Sequence, residues 1–139
     1  MSSFQTDPRL AGDSVPVCDL ALCTVRLMRD GRFDWLLLVP RQADLVEIVD
    51  LGESDQLLLM QEIAIASRVL KAETDCDKLN VGALGNIVSQ LHVHVIARRK
   101  DDPAWPGPVW GAGQAAARPE AEREKLVSRL AAAFARESG

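Results

Sequence analysis

The sequence predicts an α+β fold: a mostly antiparallel sheet of about five strands, with one long helix and a C-terminal helix. Three observations support this class. Extended apolar segments lie on both sides of one long stretch with helical periodicity, short connections join those segments, and a second amphipathic stretch closes the chain. Grouped strands with short connections favour antiparallel pairing over alternating βαβ units.

Two apolar segments and a turn predict the first hairpin. Residues 15–28 are rich in Val, Leu, Cys and Thr, and residues 29–32 (Arg-Asp-Gly-Arg) supply a turn. Residues 35–39 form a continuous apolar run that Pro40 ends. Because this run has no polar side, we expect the strand to be buried on both faces.

The long helix is predicted over about residues 54–72. Ser54 suits the N-cap, and Asp55 falls in the first turn, where negative charge is stabilised. Apolar residues recur at helical spacing at Leu59, Ile63, Ala66 and Leu70. This stripe predicts the side of the helix that is buried.

Residues 78–84 and 91–98 predict two more strands, separated by Gly85, Asn86 and a short polar stretch. They form a second hairpin-like pair. One sheet with one long helix leaves a sheet face or an edge uncovered, so the pattern also favours self-association.

The remaining segment is predicted as a loop and a closing helix. Prolines exclude regular structure from residues 102–113, and Trp105 and Trp110 indicate that this loop packs against something. The helix is predicted over about residues 119–136, because Pro119 suits the first helical position. Its apolar stripe is Leu126, Val127, Leu130 and Phe134.

Length and composition exclude several classes of protein. With 139 residues, 47% hydrophobic and 26% charged, the chain fits one globular domain over residues 1–139, with its core in 15–111. The net charge of −4 and the lack of a long basic run argue against a nucleic-acid partner. No apolar run reaches the ~20 residues of a membrane span. Three cysteines without Cys-x-x-Cys spacing indicate reduced thiols and a cytoplasmic protein.

Both histidines of the chain lie in residues 90–96, Gln-Leu-His-Val-His-Val-Ile. Because side chains alternate along a strand, Gln90, His92 and His94 share one face, and the apolar residues between them face the core. The two imidazoles then stand about 6–7 Å apart at their Cα atoms. Such a pair can share one ligand.

Three interpretations of this pair compete. The histidines lie on a solvated strand face, or bind zinc with a Cys, Asp or Glu as a further ligand, or act in nucleophilic or acid–base catalysis. Residues 80–86, Asn-Val-Gly-Ala-Leu-Gly-Asn, favour catalysis on a phosphate. Glycine permits close approach of the backbone to an anion, and asparagine amides donate to phosphate oxygens, although the same segment also fits a plain hairpin turn.

The combination resembles the histidine triad (HIT) superfamily of nucleotide hydrolases and transferases, whose signature is His-φ-His-φ-His-φ-φ with φ apolar. The resemblance covers residues 15 to about 111. This chain has Gln90 in place of the first histidine, and its Gln-x-His-x-His with a downstream Trp-Pro segment is similar to a bacterial HIT-domain subgroup. The resemblance implies a HIT-like fold and a homodimer with joined sheets.

The resemblance also implies roles for the signature residues. His92 matches the nucleophile that takes the nucleoside phosphoryl group as a covalent intermediate. His94 matches the histidine that binds and neutralises the phosphate. A backbone carbonyl at the first position accepts from the nucleophile's other ring nitrogen and fixes its tautomer. Gln90 offers the same carbonyl but removes a titratable group.

Substrate contacts carry over by position to Asn80 and Asn86, in the phosphate- and ribose-binding loop. A hydroxyl residue often follows in the family, and because Ile87 stands there, only its backbone N–H can contribute. Trp105 is either a wall of the substrate pocket, as the Trp-Pro resemblance implies, or a plug of the core or of a dimer seam.

The function predicted is a nucleotide hydrolase or nucleotidyl transferase. It acts at the α-phosphate of a nucleoside phosphoramidate, a dinucleoside polyphosphate or a related conjugate, through a covalent His92 intermediate. We expect no metal and no other cofactor. The alternative is a nucleotide-binding module with little or no turnover, weakened by Gln90, and a zinc-binding protein with ligands His92 and His94 ranks last.

Overall fold

Five antiparallel strands form one sheet in the computed structural model, which describes residues 3–138. The strands are β1 (Ser14–Asp19), β2 (Cys23–Met28), β3 (Asp34–Pro40), β4 (Lys78–Gly82) and β5 (Val93–Arg98), in the order β1-β2-β3-β5-β4. The helices are α1 (Pro8–Asp13), α2 (Glu53–Thr74) and α3 (Glu120–Ser138). The predicted α+β class is therefore confirmed.

The first three strands form an antiparallel meander. The segment predicted as extended over residues 15–28 is two strands with a short turn between them, and β3 follows after the predicted turn. In β3, every residue from Trp35 to Pro40 is buried. Its apolar run thus occupies the centre of the sheet, between β2 and β5.

The long helix α2 begins at Glu53, and its N-cap is Gly52. The predicted N-cap, Ser54, is therefore wrong. The Gln56 backbone N–H already donates to the Gly52 carbonyl, so helical hydrogen bonding starts before Ser54. Gly52 caps the helix with extended backbone and without a side-chain hydrogen bond. Because a glycine has no capping side chain, the sequence search for one did not find it.

The second hairpin pairs β4 with β5, with Gly82 opposite His94. Each strand is shorter than the sequence predicted at the end that faces the connection: β4 ends at Gly82 and β5 begins at Val93. His92 therefore lies one residue before β5, where the chain enters the sheet.

The two faces of the sheet carry separate clusters of buried side chains. One cluster lies beneath α2 and α3, and the predicted stripe of α3 contributes Leu126, Leu130 and Phe134 to it. The other lies on the opposite face, beneath α1 and the loop of residues 99–117. Its members are Leu10, Phe33, Trp35, Leu37, Val39, Val88, Ile96 and Val109. Among the described helices, none combines the length and the apolar character needed to cross a membrane.

Candidate active site

His92 and His94 lie side by side on the sheet face that α1 and the 99–117 loop cover. Their ring centroids are 4.9 Å apart, with an angle of 64° between the ring planes. Only 6% of His92 and 7% of His94 is exposed. This burial contradicts the interpretation of two histidines on a solvated strand face.

The backbone of Gln90 fixes the proton position on His92. The Nδ1 atom of His92 lies 2.6 Å from the carbonyl oxygen of Gln90. Because a carbonyl only accepts hydrogen bonds, the proton of the neutral ring stands on Nδ1, and Nε2 keeps its lone pair. The hydrogen bond that the resemblance implies is thus present, although residue 90 is not a histidine.

The side chain of Gln90 forms its hydrogen bonds with the N-terminal segment and not with His92. Its Oε1 accepts from the Asp7 backbone N–H at 2.8 Å, and its Nε2 donates to the Gln5 carbonyl at 2.8 Å. Nearby, Arg9 Nη1 donates to the Ile87 carbonyl at 3.1 Å. These contacts tie residues 5–9 to the segment that carries the site.

Trp35 contacts His94 from the neighbouring strand. The indole Nε1–H donates to His94 Nδ1 at 2.9 Å, and the two ring centroids are 5.6 Å apart. Trp110 packs edge-on against the same imidazole at 5.2 Å. Burial, followed by the proximity of His92, lowers the pKa of His94 to about 4. At neutral pH His94 is therefore uncharged, and its ring offers a neutral N–H donor.

Both histidines line a cavity of about 730 Å³. The phosphate-loop candidates Asn86 and Ile87 line it too, and Ile87 is 86% exposed. Gly85 has φ +70°, a conformation that glycine adopts without strain and that lets the loop turn beside the histidines. Charged residues of the β2–β3 turn also line the cavity; they are Arg29, Asp30 and Arg32.

A second cavity, of about 220 Å³, adjoins His92. It is lined by Gln90 and Leu91, by residues 83–85 and by residues 46–49. Val46, Ile48 and Val49 give this wall an exposed apolar surface. His92 therefore lines both cavities.

Asn80 is separated from the other predicted site residues. Its Oδ1 accepts from Arg98 Nη1 at 2.8 Å. Asn80 is not among the described residues that line the two cavities. Arg98 is buried and forms a two-pronged ion pair with Asp102. The structure thus brings together five of the six predicted residues: Gln90, His92, His94, Asn86 and Ile87.

The two tryptophans of the 102–113 loop have different positions. Trp105 lies beneath the Arg98 guanidinium, 5.6 Å from ring centroid to Cζ. Trp110 lines the larger cavity beside His94, and its ring would lie 3.3 Å from a Cβ atom placed on Gly82. Of the two interpretations left open for Trp105, the pocket wall is not supported, because Trp105 is absent from the described lining of both cavities, whereas Trp110 lines the larger one.

Sequence reasoning missed Trp35 and Trp110 as site residues. Trp35 stands in an apolar run, and the run alone predicts only a buried strand. The signal that points to its role is the register of β3 on β5, which pairs Leu37 with His94 and so places Trp35 on the face of the histidines. Strand pairing between segments 55 residues or more apart is not readable from one sequence.

A zinc site would need a third ligand beside the two histidines. Within residues 3–138, no group of three or more His, Cys, Asp or Glu side chains is arranged to hold a metal ion. The zinc interpretation therefore lacks its ligand set in the described part of the chain.

Comparisons with known proteins agree with this fold. The model of the HIT domain family matches residues 11–101. A histidine triad protein from Bradyrhizobium japonicum is 48% identical, with a TM-score of 0.94 over 96% of this chain and 99% of its own. A histidine triad protein from Sinorhizobium meliloti is 50% identical, with a TM-score of 0.90 over 91% and 94% of the two chains.

A third histidine triad protein, from Marinobacter aquaeolei, is 38% identical, with a TM-score of 0.93 over 97% of this chain and 98% of its own. No curated protein sequence matches the chain. The family model covers more than half of the chain, and the fold and the histidine pair agree with it. The chain belongs to the HIT domain family.

Proposed function

We propose that this chain is a nucleotide hydrolase or nucleotidyl transferase with His92 as its nucleophile. The substrate is a nucleoside phosphoramidate, a dinucleoside polyphosphate or a related conjugate, attacked at the α-phosphate. The observation that carries the proposal is the hydrogen bond from His92 Nδ1 to the Gln90 carbonyl. It leaves the Nε2 lone pair available in a ring that lines a cavity large enough for a nucleotide.

The chemistry follows from that tautomer. The Nε2 lone pair forms a bond to the α-phosphorus while the bond from phosphorus to the leaving group breaks, and the leaving group departs with the electron pair and takes a proton from solvent. The proton stays on Nδ1, which remains hydrogen-bonded to the Gln90 carbonyl, so the phosphorylated ring is an imidazolium. Water then attacks phosphorus and gives a proton to solvent, and the electron pair of the N–P bond returns to Nε2.

The phosphate oxygens are held by neutral donors. Asn86, the backbone N–H of Ile87 and the imidazole N–H of His94 are the groups we assign to them, because all three residues line the cavity with His92. We assign no ligand contact to Asn80, since its amide oxygen is bonded to Arg98. The side chain of Gln90 has no assigned contact to the substrate either.

The second candidate function is a nucleotide-binding module with little or no turnover. The side chain of Gln90 favours it, because this amide is held by the backbone of Gln5 and Asp7 and carries no titratable proton. In this site the side chain of residue 90 therefore cannot relay a proton. The two candidates share the binding site and differ only in turnover.

We also propose an oligomeric state, partners and a compartment for the protein. We propose a homodimer with a nucleotide ligand, without a nucleic-acid or membrane partner, built from one HIT-like domain. Cys18, Cys23 and Cys76 are free thiols, and they fit a reducing compartment such as the cytoplasm. The net charge of −4 opposes binding to phosphate backbones.

The test measures release of nucleoside monophosphate from adenosine phosphoramidate and from diadenosine tetraphosphate. The wild type is expected to turn over at least one of them, and His92→Ala is expected to lose about 10³-fold or more in kcat. A quenched reaction of the wild type should contain protein carrying a nucleotide on His92. Gln42→Ala, which changes an amide away from both cavities, is the matched control.

Two outcomes contradict the proposal. If His92→Ala keeps its turnover, His92 is not the nucleophile. If the wild type releases no nucleotide but binds adenosine monophosphate, the binding module replaces the hydrolase.

A further inference from the structure

The two histidines of the site carry their protons on opposite ring nitrogens. His92 Nδ1 faces a carbonyl oxygen, which only accepts, whereas His94 Nδ1 faces the indole N–H of Trp35, which only donates. Neutral His92 is thus protonated at Nδ1, and neutral His94 is protonated at Nε2. The pair offers one lone pair, on His92 Nε2, and one hydrogen-bond donor, on His94 Nε2.

We propose that Trp35 is a positioning residue that fixes His94 in the Nε2–H tautomer, so that His94 donates a hydrogen bond to a phosphoryl oxygen of the ligand at His92. The ligand contact rests on the proposed function. The tautomer itself is a property of the free protein, and it can be tested without turnover.

Packing holds the Trp35 indole in the position that this role requires. Only 7% of Trp35 is exposed. Phe33 packs edge-on against it at 6.3 Å, and Trp110 does so at 6.5 Å from the cavity side. Because β3 pairs with β5 two residues further along, at Leu37 and His94, the indole reaches the imidazole across one strand spacing. A rigid donor on a central strand is an effective way to orient a neighbouring ring.

The electrostatic surroundings of His94 favour the same state. Burial and the neighbouring His92 lower the pKa of His94 to about 4, and Trp35 and Trp110, the other rings against it, do not titrate. The charged residues that line the cavity are Asp13, Arg29, Asp30 and Arg32. Asp30 and Arg32 are joined by an ion pair of 2.8 Å.

Protonation of His94 would place a second N–H against the indole N–H. Two donors would then face each other, and the hydrogen bond of Trp35 would be lost. The indole therefore stabilises the neutral ring as well as one of its tautomers. Removal of the indole N–H should both release the tautomer and raise the pKa of His94.

The experiment is nitrogen-15 NMR of histidine-labelled protein. The chain has only two histidines, so the spectrum contains two imidazole rings. In the wild type we expect His92 as the Nδ1–H tautomer and His94 as the Nε2–H tautomer. In Trp35→Phe, His94 should become a mixture of tautomers with a raised pKa, while His92 stays unchanged.

The control variant is Phe33→Leu. It removes a ring that packs on Trp35, and the ring contacts of Phe33 do not include His94. In this variant we expect each histidine to keep its wild-type tautomer, Nδ1–H for His92 and Nε2–H for His94. If Trp35→Phe does not fold, the scalar coupling across the N–H···N hydrogen bond between Trp35 and His94, measured in the wild type, tests the same contact.

A second readout is the affinity for adenosine monophosphate by calorimetry. Trp35→Phe should bind it about twofold more weakly at pH 7, because only the Nε2–H part of an even mixture of His94 tautomers can donate to the phosphate. An Nδ1–H tautomer of His94 in the wild type, or unchanged His94 signals in Trp35→Phe, would overturn the positioning role.

The two proposals fail in different ways. If the tautomers are as expected but neither nucleotide substrate is turned over, the role of Trp35 stands and the hydrolase is contradicted. Turnover together with unchanged His94 signals in Trp35→Phe leaves the hydrolase in place and removes the role of Trp35.

Discussion

At the two histidines, main-chain and indole groups set the chemistry of the imidazoles. The carbonyl that orients His92 belongs to the backbone of Gln90, so any residue type at that position offers it. This explains how the tautomer of His92 is fixed without the first histidine of the signature. What glutamine adds is a side chain that binds a different part of the molecule.

Truncation of Gln90 should loosen the N-terminal segment. In Gln90→Ala the hydrogen bonds to Asp7 N–H and to the Gln5 carbonyl disappear, which removes about 1–2 kcal/mol of local stabilisation. Hydrogen exchange measured by mass spectrometry should then be about tenfold faster in residues 5–9, with little change in α2. Unchanged exchange there would mean that the hydrogen bond from Arg9 to the Ile87 carbonyl holds the segment without Gln90.

Burial of neutral His94 makes stability depend on pH. The folded chain holds the pKa of His94 at about 4, below the ordinary value of 6.5. Between these values the unfolded chain binds a proton that the folded chain does not, so stability rises with pH in this window. The free energy of unfolding should fall by about 3 kcal/mol from pH 7 to pH 4 through this residue.

Urea unfolding of the wild type and of His94→Gln at several pH values measures this contribution. The variant should show a flatter profile between pH 4 and 6.5. The carboxyl groups with lowered pKa values, such as Asp102, lose their stabilising effect only below about pH 4, so they do not obscure the comparison. Parallel profiles for the two proteins would contradict the burial of a neutral His94.

At the scale of elements, periodicity alone predicts most of the structure. The α2 helix, the buried β3 strand and the hairpins that join β2 to β3 and β4 to β5 follow from apolar patterning and turn residues, whereas the division of residues 15–28 into β1 and β2 was not predicted. The α1 helix escapes this reasoning, since Leu10 is its single buried residue. Its start depends on Pro8 and on the Asp7 side chain, which accepts from the Arg9 backbone.

Site residues are less predictable because several depend on which strands become neighbours. The His-x-His spacing and the glycines before it are local, and the sequence locates them. Asn80 shows the limit: its position in the chain suggests a phosphate contact, but the pairing of β4 with β5 brings Arg98 to its amide. Trp35 shows the converse, because only pairing of β3 with β5 brings it to His94.

The end of β5 should depend strongly on Asp102. This carboxylate accepts two hydrogen bonds from the buried Arg98 guanidinium and further ones from the backbone of Arg99, Ala104 and Trp105. Asp102→Ala would leave a buried cation without its partner, so we expect a loss of about 3–5 kcal/mol in the free energy of unfolding.

Asn80→Ala is the matched control for this measurement. It removes a single neutral acceptor from the same guanidinium, and we expect a loss of about 1 kcal/mol. Chemical denaturation of the two variants beside the wild type gives both values. Equal losses would show that the ion pair contributes no more than the amide.

At the scale of the whole molecule, the two edges of the sheet differ. The edge strand β1 contains Pro16, and its register on β2 shifts between Pro16 and Cys18. Proline and irregular pairing both hinder the addition of another strand. The other edge strand, β4, pairs regularly with β5 and carries Val81, which is 49% exposed. The β4 edge is therefore the one suited to join the sheet of a second subunit.

Substitution of Val81 should separate the proposed homodimer. A lysine on an edge strand opposes strand pairing, because its charge would be desolvated in the joined sheet. Sedimentation velocity should show a dimer for the wild type and for Val81→Thr, which keeps the branched side chain, and a monomer for Val81→Lys. A wild type that is monomeric at all concentrations contradicts the homodimer, whereas a dimeric Val81→Lys places the interface on another surface. Since Val81 is half exposed in the single chain, the monomer should keep its fold and its helical circular dichroism, and loss of assembly can then be distinguished from loss of structure.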